Sequence, residues 1–268
     1  MEAVSQVDDL GLPPGLRDEY LQGARDQLGG IAELAERLIT SGDDRAAIEN
    51  LRHEAHKLRG SAGSFGFAQA SVVAAELEDA AKQWLAQPAD GAATRGAAAR
   101  GYVRRLAAAL FMKQPVGASL PTTHDGLRPS GSPLGQTHDP SPGDVPEVIV
   151  VEDDAALADL LTFGLEARGY RFVHYRNGRE ALDHLLALDT HGTVPLLLLD
   201  VDLPALDGYS IFDALQKDCP GKFRVVFTTV HGSESEQLRG LEAGAIDYMV
   251  KPMSLRVALE KIRRWVGR

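Results

Sequence analysis

Residues 196–208 read LLLLDVDLPALDG, and the reading of this stretch decides the fold of the second half of the chain. Four consecutive leucines cannot alternate between an apolar and a polar face, so the run is either a strand buried on both sides or part of a buried helix. It is short, with Pro195 before it and Pro204 and Asp207-Gly208 after it, which favours the strand. Asp200 is then the first polar residue at the carboxyl end of that strand, the edge of an open parallel sheet where ligands gather. A lone aspartate there also does no more than start a turn, so its meaning depends on what the rest of the chain brings to the same edge.

Working outward, apolar runs after Pro146 alternate with amphipathic segments. The pattern predicts strands over Val148–Val151, Arg171–His174, Leu196–Leu199, Val225–Thr228 and Tyr248–Val250. Helices are expected over Leu157–Ala167, Glu180–Leu188, Ser210–Gln216, Glu234–Ala243 and Leu255–Trp265. Strands joined by crossover helices predict a doubly wound α/β domain with a parallel sheet over residues 146–268. All strand ends then open onto one edge. The first delivers Glu152, Asp153 and Asp154, the third Asp200, the fourth Thr228 and Thr229, and the fifth Lys251-Pro252. Several carboxylates with a hydroxyl and an amine form a phosphoryl-transfer constellation, and their mutual repulsion and hard oxygen donors suit Mg²⁺. Asp200 is the expected nucleophile, forming an acyl phosphate, while Thr229 donates to one phosphoryl oxygen and Lys251 pairs with another.

Upstream the periodicity is helical. Leu16, Tyr20, Ala24, Leu28, Ile31, Leu34 and Leu38 form one stripe of an amphipathic helix that ends near Thr40, before Ser41-Gly42. Asp43 or Asp44 is placed to cap a second helix burying Ile48, Leu51, Ala55, Leu58 and Ala62. Val72–Trp84 and Ala97–Phe111 complete an all-α bundle over residues 1–113. At about 100° per residue His56 lies roughly 120° from the centre of its helix's apolar stripe and is expected to face water. Gly60, one turn further on, costs about 1 kcal/mol relative to alanine in mid-helix. What offsets the cost is the close approach of another protein backbone to the imidazole. Lys57 and Arg59 supply positive charge for a phosphoryl group. His53, His124, His138, His184 and His191 are read as surface histidines.

Between the two regions, Gln114–Val145 is rich in Pro, Gly, Ser and Thr and shows no periodicity. It is expected to be a flexible tether spanning roughly 30 Å, able to hold two modules at about millimolar effective concentration. The net charge of -10 argues against nucleic-acid or anionic-membrane partners. A single cysteine excludes an intramolecular disulfide, the first residues lack the basic character of a signal peptide, and no apolar run approaches the ~20 residues of a membrane span. The expectation is a cytoplasmic protein without membrane insertion.

Two stretches carry a resemblance to known families. His56-Lys57-Leu58-Arg59-Gly60-Ser61-Ala62, with Gly66 following, resembles the motif of histidine phosphotransfer (HPt) domains, four-helix bundles that carry phosphate on a surface imidazole. The resemblance implies His56 as phosphoryl acceptor, with Lys57, Arg59 and Gly60 around it; Arg59 stands where the family more often has lysine. Glu152-Asp153, Asp200 with Pro204 and Asp207-Gly208, Thr229, Tyr248 and Lys251-Pro252 together are similar to response-regulator receiver domains, which have a flavodoxin-like fold. This implies Mg²⁺ held by Asp153, Asp200 and the backbone carbonyl of Asp202, with Glu152 acting through water. It also implies an inward swing of Tyr248 as Thr229 shifts toward the phosphate, and a cis Lys251-Pro252 bond. Val230 departs from the small residue usual after the threonine and narrows access; Asp202 adds charge near the site and bears on phosphate lifetime.

The function expected is a phosphorelay protein moving phosphoryl groups through His56 and Asp200 and signalling by contact. Its expected partners are a sensor histidine kinase or hybrid-kinase receiver, and other response regulators or HPt proteins. One alternative is a haloacid-dehalogenase-type phosphohydrolase using Asp200 and Asp202, since LLLLDVDLP also resembles that family's DxDx signature. There the signature opens the first strand, whereas here Glu152-Asp153 precedes it. The other is a scaffold that binds regulators without carrying phosphate.

Overall fold

The structure is a computed structural model and describes residues 12, 15–88, 90–111, 145–230 and 234–267. The expected tether lies outside these residues, apart from its last position. Four helices precede the sheet among the described residues: α1 (Leu16–Thr40), α2 (Arg45–Ser64), α3 (Ala68–Ala86) and α4 (Ala92–Phe111). The stripes read from the sequence point inward. Tyr20, Ala24, Leu28, Ile31 and Leu38 of α1 are buried, as are Ile48, Leu51, Ala55, Leu58 and Ala62 of α2. Tyr20 stacks on Phe65 with ring centroids 4.3 Å apart, and the Asp44 carboxylate accepts from the Ala47 amide at 3.0 Å to start α2. Arg95, almost fully buried in α4, donates to the carbonyls of Gly42, Gln87, Pro88 and Asp90, which ties the two ends of the bundle's loops together.

The second unit runs β1 (Val148–Val151), α5 (Ala155–Ala167), β2 (Phe172–Tyr175), α6 (Gly178–Ala187), β3 (Leu196–Asp200), α7 (Gly208–Asp218), β4 (Arg224–Thr229), α8 (Glu234–Glu242), β5 (Asp247–Val250) and α9 (Leu255–Val266). The strands are all parallel, in the order β2-β1-β3-β4-β5. The element ends differ from the sequence expectation by a few residues; Thr229, for instance, is the last residue of β4 rather than the first beyond it.

The leucine run is a strand buried on both faces. Because successive side chains alternate, Leu196 and Leu198 join Val148, Val150 and Val226 under α5 and α9, while Leu197 and Leu199 join Ile149, Val151 and Phe227 under α6 and α7. At the end of the strand Asp207 caps α7 by accepting from the Ser210 amide. A Cβ on Gly208 would lie 2.2 Å from the Asp200 carbonyl oxygen, so only glycine allows α7 to begin this close to β3.

The two units pack against each other. Helix α5 packs on α1 and α2, and the apolar cluster of the bundle continues without a break into the α5 and α9 face of the sheet.

Candidate functional site

Sheet register sets the edge. Val151 pairs with Leu199, so Glu152 and Asp200 follow at the same level; Asp200 pairs with Thr228, and Thr229 with Val250, so Lys251 comes next. Chain order reverses between β1 and β3, the topological switch point at which α/β sheets bind ligands. Lys251 Nζ lies 3.0 Å from Asp200 Oδ2 and 2.7 and 2.9 Å from the two Glu152 oxygens. The Lys251-Pro252 bond is cis. The Asp202 amide donates to Asp200 Oδ1 at 3.4 Å. Thr229 is buried in the strand beside Asp200. Tyr248 is turned inward, its hydroxyl 3.1 Å from that of Tyr209.

The electrostatics of the edge are those of too many acids for one amine. Burial, with Asp200 beside it, pushes the Glu152 carboxyl well above the ordinary carboxylate range against the pull of Lys251. Burial alone would lower the Lys251 ammonium, but Asp200 and Glu152 more than reverse this and hold it protonated. Oxygens of Glu152, Asp153 and Asp200 lie within 4.8 Å of one another. A compact set of hard oxygen donors with unbalanced negative charge fits a divalent cation such as Mg²⁺.

The other half of the site comes from α2, and here the sequence expectation is corrected. His56 does not face water: it is 4% exposed, because the face of α2 that carries it is docked on the sheet edge of the same chain. Its Nδ1 lies 3.2 Å from Glu78 Oε1 and its Nε2 3.3 Å from Asp202 Oδ2. Both ring nitrogens therefore face carboxylate oxygens, Nδ1 that of Glu78 inside the bundle and Nε2 that of Asp202 at the sheet edge. A small cavity between the faces is lined by His56, Lys57 and Gly60 on one side and by Glu152, Asp153, Asp200 and Lys251 on the other.

The close approach anticipated at Gly60 is made by this chain's own sheet domain. A Cβ on Gly60 would lie 3.3 Å from Lys251 Cδ, and one on Gly63 would lie 2.4 Å from Pro252 Cβ. Lys57 and Arg59 are engaged elsewhere than expected. Lys57 Nζ sits 2.9 Å from Asp153 Oδ2, and Arg59 reaches Glu78 at 3.1 Å and the Val230 carbonyl at 3.4 Å.

Two residues escaped the sequence reading. Glu78 is fully buried on α3, where it meets His56, Arg59 and Lys82; an acid among the buried Val73, Ala74, Leu77 and Ala81 was the available signal. His53, read as a surface residue, lies 3.0 Å from Asp153 Oδ2. Its only signal was its position one turn before His56. Burial pushes the Asp153 carboxyl up, yet His53 and Lys57 outweigh this and hold it below its ordinary value.

An acidic strand edge on a flavodoxin-like sheet, faced by a histidine on a four-helix bundle, joins the marks of two domain families. The family described as "Hpt domain" matches residues 15–110 and that described as "Response regulator receiver domain" matches residues 148–263. The chain therefore carries an N-terminal Hpt domain followed by a receiver domain. It is 37% identical over 124 residues to the response regulator MprA of Mycolicibacterium vanbaalenii, covering 45% of this chain and 50% of that one. It is 35% identical over 117 residues to the transcriptional regulatory protein CpxR of Escherichia coli, covering 44% and 47%. The chain spans about half the length of the curated relatives it matches. Among solved structures, the receiver domain of the Francisella response regulator 1452 aligns with 25% identity and a TM-score of 0.42, covering 46% of this chain and 98% of that one. No described helix is long and apolar enough to cross a membrane.

Proposed function

We propose that this chain is a phosphorelay protein that carries phosphoryl groups on His56 and on Asp200. The observation that carries the reading is the shared cavity, onto which both side chains open. In the receiver half, an Asp200 oxygen attacks phosphorus, the O–P bond forms, and the bond to the donor's nitrogen breaks, the donor leaving protonated. Lys251, 3.0 Å from Asp200, offsets charge on the phosphoryl oxygens, and the Thr229 hydroxyl donates to another. Asp153, Asp200, the Asp202 carbonyl and, through water, Glu152 would hold Mg²⁺, which supplies charge neutralisation at the phosphoryl oxygens when bound. In the bundle half, Glu78 orients the ring so that Nε2 is the nucleophile, and Lys57, Arg59 and Gly60 shape its surroundings. Tyr248 is the switch residue that reports the state of Thr229.

The proposed boundaries are 1–113 for the Hpt unit, 114–145 for the tether and 146–268 for the receiver. Proposed partners are a sensor histidine kinase or hybrid-kinase receiver, together with other response regulators or Hpt proteins, in the cytoplasm. The test is labelling of the full chain with phosphoramidate and Mg²⁺, followed by site mapping by mass spectrometry. Wild type should label at Asp200 and His56, Asp200→Asn at His56 alone, and His56→Gln at Asp200 alone. Absence of label at both residues in wild type would leave the scaffold reading in its place. Turnover of free phosphomonoesters lost in Asp202→Asn would favour the phosphohydrolase.

A further inference from the structure

The docked face of α2 brings an ammonium and an imidazole to a single carboxylate oxygen. His53 Nε2 lies 3.0 Å and Lys57 Nζ 2.9 Å from the same Asp153 Oδ2. Asp153 belongs to the group of three carboxylates whose oxygens lie within 4.8 Å, and the other two, Glu152 and Asp200, share Lys251. Closure of the bundle on the receiver thus adds the Lys57 ammonium, with the His53 imidazole beside it, to a cluster that otherwise has three acids and one amine. A divalent ion at that Asp153 oxygen would stand beside the Lys57 ammonium, and the repulsion at such separations is large wherever water is excluded. The Lys57 side chain is 20% exposed and that of Asp153 7%, so screening by solvent is partial.

We infer that Asp153 is a shared ligand, for which Lys57 and His53 of α2 and a divalent cation compete. Cation loading removes the ionic half of the closed arrangement, and closure in turn weakens cation binding, by the same factor in both directions. The inference deepens the phosphorelay reading, on which it rests only in taking the acidic cluster as the cation site. The other half of the closure is indifferent to the cation. Gly63 receives Pro252, whose Cγ would lie 2.5 Å from an added Cβ; the Met253 amide donates to Ser64 Oγ at 3.1 Å; and Arg59 donates to the Val230 carbonyl at 3.4 Å. The cation therefore loosens the pair rather than abolishing it. Because the receiver edge is what covers His56, the metal-free closed form withholds His56 from outside proteins, and cation loading gives it back.

The experiment uses the full chain as wild type, Gly63→Ala and His53→Gln, titrated calorimetrically with Mg²⁺, with solution dimensions measured by small-angle scattering in chelator and in Mg²⁺. Gly63→Ala places a methyl group into Pro252, with Ser71 Oγ of α3 at 3.2 Å the nearest bundle atom, while improving the helix propensity of α2, so it strikes docking harder than bundle stability. Expected is Mg²⁺ binding about tenfold tighter in Gly63→Ala, a smaller tightening in His53→Gln, and expansion of wild type on adding Mg²⁺ but no change in Gly63→Ala, already open in chelator. His53→Gln adds no bulk and keeps the test alive should Gly63→Ala misfold. Mg²⁺ affinities equal in all three proteins, or dimensions of wild type indifferent to Mg²⁺, would overturn the inference. Phosphoramidate labelling of Asp200 in the same proteins separates the two failures. Label with equal affinities overturns the linkage alone, and shifted affinities without label overturn the phosphorelay reading alone.

Discussion

Asp200 and His56 open onto the same cavity, yet they are put there by different means. Asp200 ends a strand whose neighbours supply its partners through register: Glu152 is level with it on β1, and Lys251 follows the last pair of β4 and β5. Displacing any of them requires breaking a ladder of backbone hydrogen bonds. His56 stands inside a helix that fixes only its direction. Its partners, Glu78 and Asp202, come from another helix and from the other domain. The receiver edge is thus organised in advance by its backbone, while the histidine face is organised by packing. Changes remote from His56 should retune it far more readily than comparable changes retune Asp200.

The largest expected effect tests whether the two units keep separate stability. Leu198 is buried in the central strand, and Leu198→Ala should cost roughly 2–5 kcal/mol by transfer and cavity terms. Denaturant unfolding should show the receiver transition moving while the bundle transition moves much less; equal movement would make the pair one cooperative unit. Next, Glu78→Ala leaves His56, Arg59 and Lys82 around a buried gap and should cost the bundle about 3 kcal/mol. The milder Glu78→Gln should slow phosphoramidate labelling of His56 and leave Asp200 labelling as in wild type. Equal slowing at both residues would erase the distinction between packing and register.

Smaller effects probe the boundary between the two faces. Asp202→Asn and Val230→Ala alter residues that touch both halves, and the acyl-phosphate half-life should change severalfold in each, longer where the carboxylate is removed and shorter where the mouth is widened. Unchanged half-lives would remove both residues from the chemistry. The smallest effect is a pH slope belonging to the receiver alone. Burial lowers His174, whose Nε2 donates to the Glu152 carbonyl at 2.9 Å, below its ordinary 6.5. Below that pH the unfolded chain binds a proton that the folded one resists, so receiver stability should fall as pH drops through 6.5. In His174→Gln that part of the slope should vanish, as read from urea midpoints at pH 7 and pH 5.5.

The comparison also explains which residues were legible. Asp200, Glu152, Asp153, Thr229 and Lys251 could be read because a buried strand announces itself by composition and its first polar residues must lie at the common edge. His56 could be found by its neighbours Lys57, Gly60 and Ser61, but not its burial, since the apolar stripe of α2 describes the bundle and carries no information about a second domain. Glu78 lies 22 residues from His56, and His53 meets Asp153 a hundred positions away, separations at which periodicity has nothing to report.

By itself, the sequence determined the two modules and the parallel sheet and singled out the residue proposed to react in each, because binary patterning and strand-end placement act over a few residues. Only the tertiary structure decided that the modules face each other, with the glycines of α2 admitting Lys251 and Pro252, and with His53 and Lys57 on Asp153. These contacts depend on shape and charge complementarity between surfaces distant in sequence, which no local pattern encodes.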